Sequence, residues 1–270
     1  MASSLWSAHP TRPRWRGWRS GVPSVLFGAT LFALWWGLTA SGTIAPIVLP
    51  NPVSVAVRFG TDLARGQILG YVWPTLTEAL LGSLIAAAVA FPLAYVVAHS
   101  RLLARIIEPY VALSQTVPLV ALAPILALWV GYGTLPIALL CALIAFFPMI
   151  TTAVLSFRSL DPRVVDAACL DGASGIQLLR HVELPLAAPA LLAGLRAGLV
   201  LSVTGAIVGE FMMGGSGLAT WLTLQRDRAD VVGMFAVLIW VSGVALTLHG
   251  LVHRFERRLA YRLDEREHLP

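Results

Sequence analysis

Long apolar blocks separated by short polar segments run along most of this chain. Each block is about 20 residues long, the length that a helix needs to cross about 30 Å of hydrocarbon. The six blocks cover residues 22–41, 74–97, 107–130, 134–156, 189–212 and 232–252. The pattern predicts six membrane-spanning helices in one polytopic domain. That domain would cover residues 22–253, with polar tails at residues 1–21 and 254–270.

The composition agrees with a protein whose surface faces lipid. The 270 residues are 57% hydrophobic and 12% charged, whereas a soluble domain has about 25% charged residues. A water-facing surface cannot be built from so few charges, so we expect an all-α membrane protein in contact with the bilayer. The formal net charge of +5 does not indicate nucleic acid as a partner, because the arginines cluster at the ends of apolar blocks.

The distribution of arginine predicts the orientation of the chain. Fourteen arginines lie in the two tails, between the second and third blocks, and in the polar segment 157–188, while four lie in the other loops. Loops on the cytoplasmic side carry an excess of basic residues. We therefore expect a multi-pass protein with both termini and segment 157–188 in the cytoplasm. The first apolar block follows a basic tail, as in a signal peptide, but it is long and no cleavage site follows, so we expect it to be retained.

Segment 157–188 contains the signals for two short helices. Asp161 and Pro162 favour a helix start, and Gly172 favours a helix end. Ser174 is suited to cap a second helix, which Pro185 would end. The sequence therefore predicts two short helices, joined at a glycine and held at the membrane face.

The spacing within this segment is acid-Ala-Ala, three residues, Gly, nine residues, and then aliphatic-x-Leu-Pro. It resembles the EAA motif of the membrane subunits of binding-protein-dependent ABC importers, with Asp166 in place of the usual Glu and Val182 in place of the usual Ile. In that family the short helix is the coupling helix, which fits a cleft in the ATPase subunit. The resemblance implies an ATPase-coupling role for Asp166, Ala167, Ala168, Gly172, Leu184 and Pro185.

Residues 45–258 also resemble the permeases of the nitrate, sulfonate and taurine importers and a related branch for pyrimidine thiamine precursors and riboflavin. The matching features are Leu49-Pro50-Asn51-Pro52, Gly131-Tyr132-Gly133, Phe146-Phe147-Pro148 and Gly215-Ser216-Gly217-Leu218. The resemblance implies a type I ABC importer permease fold in the bacterial inner membrane, with six transmembrane helices and a cytoplasmic coupling helix. It also implies a second permease copy, two copies of an ATPase subunit, and an extracytoplasmic substrate-binding protein. Several of these features favour the pyrimidine and riboflavin branch.

The sequence contains no motif for covalent chemistry of its own. A P-loop requires a lysine after its second glycine, and this chain has no lysine. We therefore expect ATP and Mg²⁺ to bind a separate ATPase subunit, and neither a cofactor nor a metal to bind this chain. His249 and His253 are four residues apart, but no third ligand accompanies them in the sequence.

Polar residues inside the apolar blocks are costly in lipid and are therefore candidates for a functional role. Glu210 either lines a translocation path or bonds to the loop that follows it, while Glu78 and Glu108 are expected at the membrane interfaces. The remaining candidates either line a polar route or bond between helices. The candidate path residues are Gln115, Thr116, Ser202, Thr204 and Glu210.

Two other classes of protein remain as alternatives. An ion-coupled secondary transporter would show internal repeats or paired intramembrane acids, and an intramembrane enzyme would need a nucleophile and a base at membrane depth. The sequence marks neither. We therefore predict a permease subunit that forms the path for a small solute in an ATP-driven importer.

Overall fold

The fold of this chain is helical throughout the part that the computed structural model describes. It describes the backbone of residues 21–267, and their side chains apart from those of Ser114 and residues 255–267. The helices are α1 (Gly21–Ala40), α2 (Pro52–Ala64), α3 (Gln67–His99), α4 (Arg101–Ser114), α5 (Ala123–Val130), α6 (Thr134–Arg158), α7 (Pro162–Leu170), α8 (Ile176–Leu178), α9 (Leu184–Met213), α10 (Leu218–Asp227) and α11 (Val231–Glu267). A 3₁₀ turn at Leu119–Leu122 precedes α5, and a π-helical turn at Leu179–Glu183 joins α8 to α9.

The described residues form two compact units, one ending at Val55 and the other beginning at Ala56. In the first unit, Trp35 Nε1 donates a hydrogen bond to the Pro50 carbonyl at 3.1 Å. Asn51 Oδ1 accepts from the Val53 amide at 2.9 Å, which is the bond that a capping residue makes at a helix start. The Leu-Pro-Asn-Pro sequence therefore starts the amphipathic helix α2. The predicted N-terminal tail lies, up to residue 20, outside the described residues.

Within residues 21–267, five helical stretches are long and apolar enough to cross a bilayer. They are Val22–Ala40, Gln67–His99, Thr134–Arg158, Ile176–Met213 and Val231–Arg254. The span that the sequence predicts at 107–130 is not one helix, because α4 ends at Ser114 and only the shorter apolar stretch Leu119–Val130 follows.

Proline explains the interruption of this predicted span. Pro118 directly precedes the 3₁₀ turn and has an extended backbone, with ψ of 93°. A proline has no amide hydrogen to donate, and it also disfavours a helical conformation for the residue before it. The apolar pattern is therefore present, but the helix is interrupted near Pro118, whereas α3 continues through Pro92 and α6 continues through Pro148.

The helices α3 and α6 are neighbours and run in the same direction. Their direction determines the course of segment 101–130, which connects them. Midway along α3, a Cβ on Gly82 would overlap Cys141 in the first half of α6. At their ends, Arg158 Nη2 lies 3.5 Å from the Val97 carbonyl. Two parallel neighbours require the chain between them to return, so segment 101–130 carries it back from one end of the bundle to the other.

The core of the second unit is the packing of α9, antiparallel, against both α3 and α6. Four glycines of α9 lie against α6, and they are Gly194, Gly198, Gly205 and Gly209. A Cβ on Gly198 would lie 2.9 Å from Met149 Cγ and 3.1 Å from the Ala145 carbonyl oxygen. Small residues allow this close approach, which is the principal source of helix association in lipid. The helix α11 packs on the outside of α9, where Arg196 Nη1 lies 2.7 Å from His253 Nδ1.

Candidate functional site

The polar segment between α6 and α9 begins with the short helix α7, as the sequence predicts. Asp161 precedes the helix, and its side chain accepts a hydrogen bond from the Arg163 amide at 2.9 Å. Pro162 occupies the first helical position, where its missing amide hydrogen has no intrahelical partner to lose. These two residues fix the start of α7.

Gly172 ends α7, also as predicted. Its φ of 91° lies in the left-handed region, which glycine adopts without a steric penalty. The Gly172 amide donates to the Cys169 carbonyl at 3.0 Å, and the Ala173 amide donates to the Ala168 carbonyl at 3.0 Å. This pair of bonds is the Schellman motif, which satisfies carbonyls at a helix C-terminus. The short helix is therefore capped at both ends by its own sequence.

The predicted second helix differs from expectation at both of its ends. Gly175 rather than Ser174 precedes it, and no side chain caps it. It also does not end at Pro185, because the π-helical turn carries it directly into α9. The Leu184 amide bonds to the Leu179 carbonyl, five residues back, and the wider turn accommodates Pro185, which has no amide hydrogen to donate. The helix α8 is thus continuous with α9.

The outer side of this segment exposes apolar surface. Leu170 is 89% exposed and Ile176 is 79% exposed. Asp166 and Ala167 are exposed on α7. Large apolar side chains that are exposed on a polar segment are candidates for contact with a partner. We call the exposed residues 164–176 the docking surface.

The other residues assigned by resemblance lie within or next to the docking surface. Ala168 is half-buried on α7, and Gly172 is exposed where the helix ends. Leu184 and Pro185 begin α9, with Leu184 43% exposed and Pro185 half-buried. Gly172 is accessible to a partner, whereas Leu184 and Pro185 connect the segment to the bundle.

Two contacts that the sequence analysis missed attach this segment to the bundle. Glu183 is 2% exposed, and its Oε1 lies 2.8 Å from His99 Nε2 at the end of α3. Ser156 Oγ of α6 donates to the Ala187 carbonyl of α9 at 3.2 Å. The acid in Val-Glu-Leu-Pro was a visible signal, because a charged residue among aliphatic neighbours needs a partner. Its partner is too distant in the sequence for the pattern to reveal it.

Glu210 lies buried at the opposite end of the bundle, where it bonds to the start of α10. Its Oε2 accepts from the Ala219 amide at 2.8 Å, and Thr75 Oγ1 of α3 hydrogen-bonds to its Oε1. Thr75 Oγ1 also accepts from the Leu218 amide at 2.8 Å. Of the two alternatives that the sequence left open for Glu210, this geometry favours a bond to the following loop.

The sequence places Glu78 at a membrane interface, and the structure shows that its side chain is 1% exposed and in contact with Glu210. The antiparallel packing of α3 and α9 brings the two carboxyl groups together. The expectation that the chain has no paired intramembrane acids was therefore wrong. Glu108 is 47% exposed and forms an ion pair with Arg158 at 2.6 Å, in agreement with an interfacial position.

The other candidate path residues do not converge on one site. Ser202 is fully buried and donates to the Ala79 carbonyl of α3 at 2.7 Å, so it bonds between helices. Thr204 is exposed on α9, and Gln115 and Thr116 are exposed in the break after α4. Thr204, Gln115 and Thr116 are therefore accessible to line a water-filled path, whereas the buried Ser202 is not.

Comparison with known proteins gives a consistent result. The family model described as "Binding-protein-dependent transport system inner membrane component" matches residues 75–261. The riboflavin transport system permease protein RibX of Chloroflexus aurantiacus is 39% identical over 241 residues, 88% of each chain. The taurine transport system permease protein TauC of Escherichia coli is 30% identical over 258 residues, 93% of this chain and 94% of its own.

Among solved structures, a chain of the inward-facing MetNI methionine ABC transporter has the same fold. Its TM-score is 0.64 at 17% identity, with 73% of this chain and 98% of that chain covered.

Proposed function

Because this chain belongs to the inner membrane components of binding-protein-dependent transport systems, we propose that its docking surface receives a separate ATPase subunit. The chain is a permease subunit of an ABC importer. Members of this family are transport subunits and not enzymes themselves. The sequence has no lysine and so no P-loop, which supports ATP hydrolysis on the partner.

The exposed, capped helix α7 is the observation that carries the coupling role. Ala167 is small and exposed, so it allows a partner surface to approach closely, and Asp166 beside it offers a carboxylate. The turn at residues 171–175 joins α7 to α8, which runs through a π-helical turn directly into α9. Glu183 in that π-helical turn also contacts His99 at the end of α3. A displacement of α7 would therefore reach the bundle through the hydrogen-bonded turn that follows Leu170 and then through continuous helix.

Replacing Ala167 with Trp tests this role, because the added bulk lies outside the fold and meets only a docked partner. We expect loss of ATPase co-purification and of substrate-stimulated ATP hydrolysis in liposomes. Ala64→Trp, at another exposed alanine at the end of α2, is the matched control and should keep both. Normal ATPase binding by the Ala167→Trp protein would contradict the coupling role.

The exposed polar residues support a second permease copy around a shared path. Thr204 lies on an apolar span, and a polar group facing lipid there is costly. Two copies facing each other would give Thr204, Gln115 and Thr116 a water-filled surrounding. The complete assembly would contain two permeases, two ATPase subunits and an extracytoplasmic substrate-binding protein, in the bacterial inner membrane.

Thiol reactivity distinguishes a path position from a lipid-facing one. In a Cys169→Ser background, Thr204→Cys should react with a small water-soluble thiol reagent when the full complex is assembled. Leu84→Cys, 67% exposed on α3, is the lipid-facing control and should remain unreactive. Equal protection of the two positions would exclude Thr204 from the path.

For the cargo, we propose riboflavin or a related heteroaromatic compound. RibX shares 39% identity with this chain, whereas TauC shares 30%, and both alignments cover most of each protein. Proteoliposomes containing the permease, its ATPase and its binding protein should accumulate riboflavin with ATP inside. Accumulation of taurine in preference to riboflavin would refute this cargo, and uptake without any ATPase would refute the importer mechanism.

A further inference from the structure

Two adjoining cavities lie at the end of the bundle that carries α7. One has a volume of about 450 Å³, and its lining includes Arg101, Arg105 and Arg158. The other, of about 320 Å³, is a mostly apolar groove between α4 and α6. Val97 and Arg158 line both of them. A charged chamber and an apolar groove therefore meet at a shared wall.

The charged chamber has an excess of positive charge. Arg158 is paired with Glu108 at 2.6 Å, and Glu108 is the one acid in the two linings. Within the part of the chain that the structure describes, Arg101 and Arg105 form no ion pair. Guanidinium groups match phosphate oxygens with paired hydrogen bonds. The chamber is therefore complementary to an anionic phosphate.

The depth of Arg101 and Arg158 in the membrane follows from their positions at the ends of two membrane-spanning helices. Arg101 follows α3 after one intervening residue, and Arg158 is the last residue of α6. Both helices are long enough to cross the bilayer, so the charged chamber lies where hydrocarbon gives way to headgroups. The groove next to it extends along α4 past Val111 and Ala112 to Gln115.

We propose that these cavities hold one anionic phospholipid, with its phosphate on Arg101, Arg105 and Arg158 and an acyl chain in the groove between α4 and α6. The charged chamber alone would accept any phosphate, and the adjoining apolar groove selects a phosphate attached to a hydrocarbon chain. Basic pockets between transmembrane helices bind lipid headgroups in this way. Its three arginines are distinct from the residues proposed for the ATPase contact and for the translocation path.

The test compares lipid retention by purified protein. The full chain is exchanged into mixed micelles with equal phosphatidylglycerol and phosphatidylcholine, and bound lipid is counted by native mass spectrometry. We expect phosphatidylglycerol to be retained at least tenfold over phosphatidylcholine. The double variant Arg101→Gln/Arg105→Gln should lose this preference. Arg228→Gln, at an exposed arginine following α10, should keep it.

A second variant separates a lipid from a soluble anion and from a second protein chain. Ala112→Trp fills the groove and should reduce phosphatidylglycerol retention while leaving binding of inorganic phosphate unchanged. Equal retention of the two lipids would overturn the proposal. So would phosphatidylglycerol retention that Ala112→Trp leaves intact, or a loss of permease dimers in that variant, which would assign the groove to the second copy.

Discussion

Gly172 is the residue on which the shape of the docking surface depends most directly. Its φ of 91° is left-handed, and no atom beyond its chain neighbours lies within 4 Å of an added Cβ. A side chain there therefore meets backbone strain and no clash. Non-glycine residues pay about 1–2 kcal/mol for a left-handed backbone, and asparagine tolerates it better than others.

We expect Gly172→Val to change the direction of the chain after α7 and abolish ATPase binding, while the permease still inserts and folds. Gly172→Asn should retain much of the uptake rate. The measurement is ATP-driven uptake in proteoliposomes together with co-purification of the ATPase. Full uptake by the valine variant would show that this turn has no part in coupling.

Gly217 is required for a different reason, because neighbouring side chains leave no space for a Cβ atom. A Cβ there would overlap both Glu210 Oε1 and Thr75 Oγ1. Gly217→Ala should therefore break the bonds that attach the start of α10 to α3 and α9. Overpacking of this kind costs about 1–3 kcal/mol. Thermal unfolding in detergent should occur at a lower temperature, whereas Gly70→Ala in α3, where the space is open, should not lower it.

At the scale of elements, the glycine face of α9 sets the distance between α9 and α6. Gly198→Leu would place a side chain against Met149 and the Ala145 carbonyl, and the two helices would have to separate. We expect a large loss of thermal stability and of folded yield. Gly250→Leu on α11, with nothing within 4 Å of the added Cβ, is the control and should behave as the parent protein.

Apolar periodicity predicted most of the helices but not their continuity. Five of the six predicted spans correspond to helices, because long apolar runs in lipid have almost no alternative to helix. Segment 101–130 has the same apolar content, yet Pro118 interrupts it. The reverse error occurred at Pro185, where a proline suggested a stop and a π-helical turn allowed the helix to continue. Local propensity at a proline does not determine which of these outcomes packing will favour.

At the scale of the whole molecule, the two cysteines allow the orientation to be measured in the native sequence. Cys141 is buried and Cys169 is exposed on α7. A membrane-impermeant maleimide should therefore label Cys169 in inside-out vesicles and not in right-side-out vesicles. Bound ATPase should protect it, and Cys169→Ser should remove the signal. Labelling from the outside would place the docking surface on the wrong face for an ATPase.

The candidate site could be predicted from sequence only where its residues are neighbours in the chain. Asp161, Gly172 and the spacing between them are local signals, and the helix they delimit is present. The contact of Glu78 with Glu210, and of His99 with Glu183, depends on how α3 and α9 cross. Such pairs become visible only when the direction of every helix is known.

The exposed Leu170 and Ile176 also have a consequence for the life of the newly made protein. Until a partner covers them, two large aliphatic side chains, 89% and 79% exposed, are available to chaperones and proteases that recognise unburied apolar groups. In a permease made without its ATPase, these exposed side chains would be recognised in the same way as those of a misfolded protein. The surface proposed for the ATPase contact would thus also mark unassembled copies for removal from the membrane.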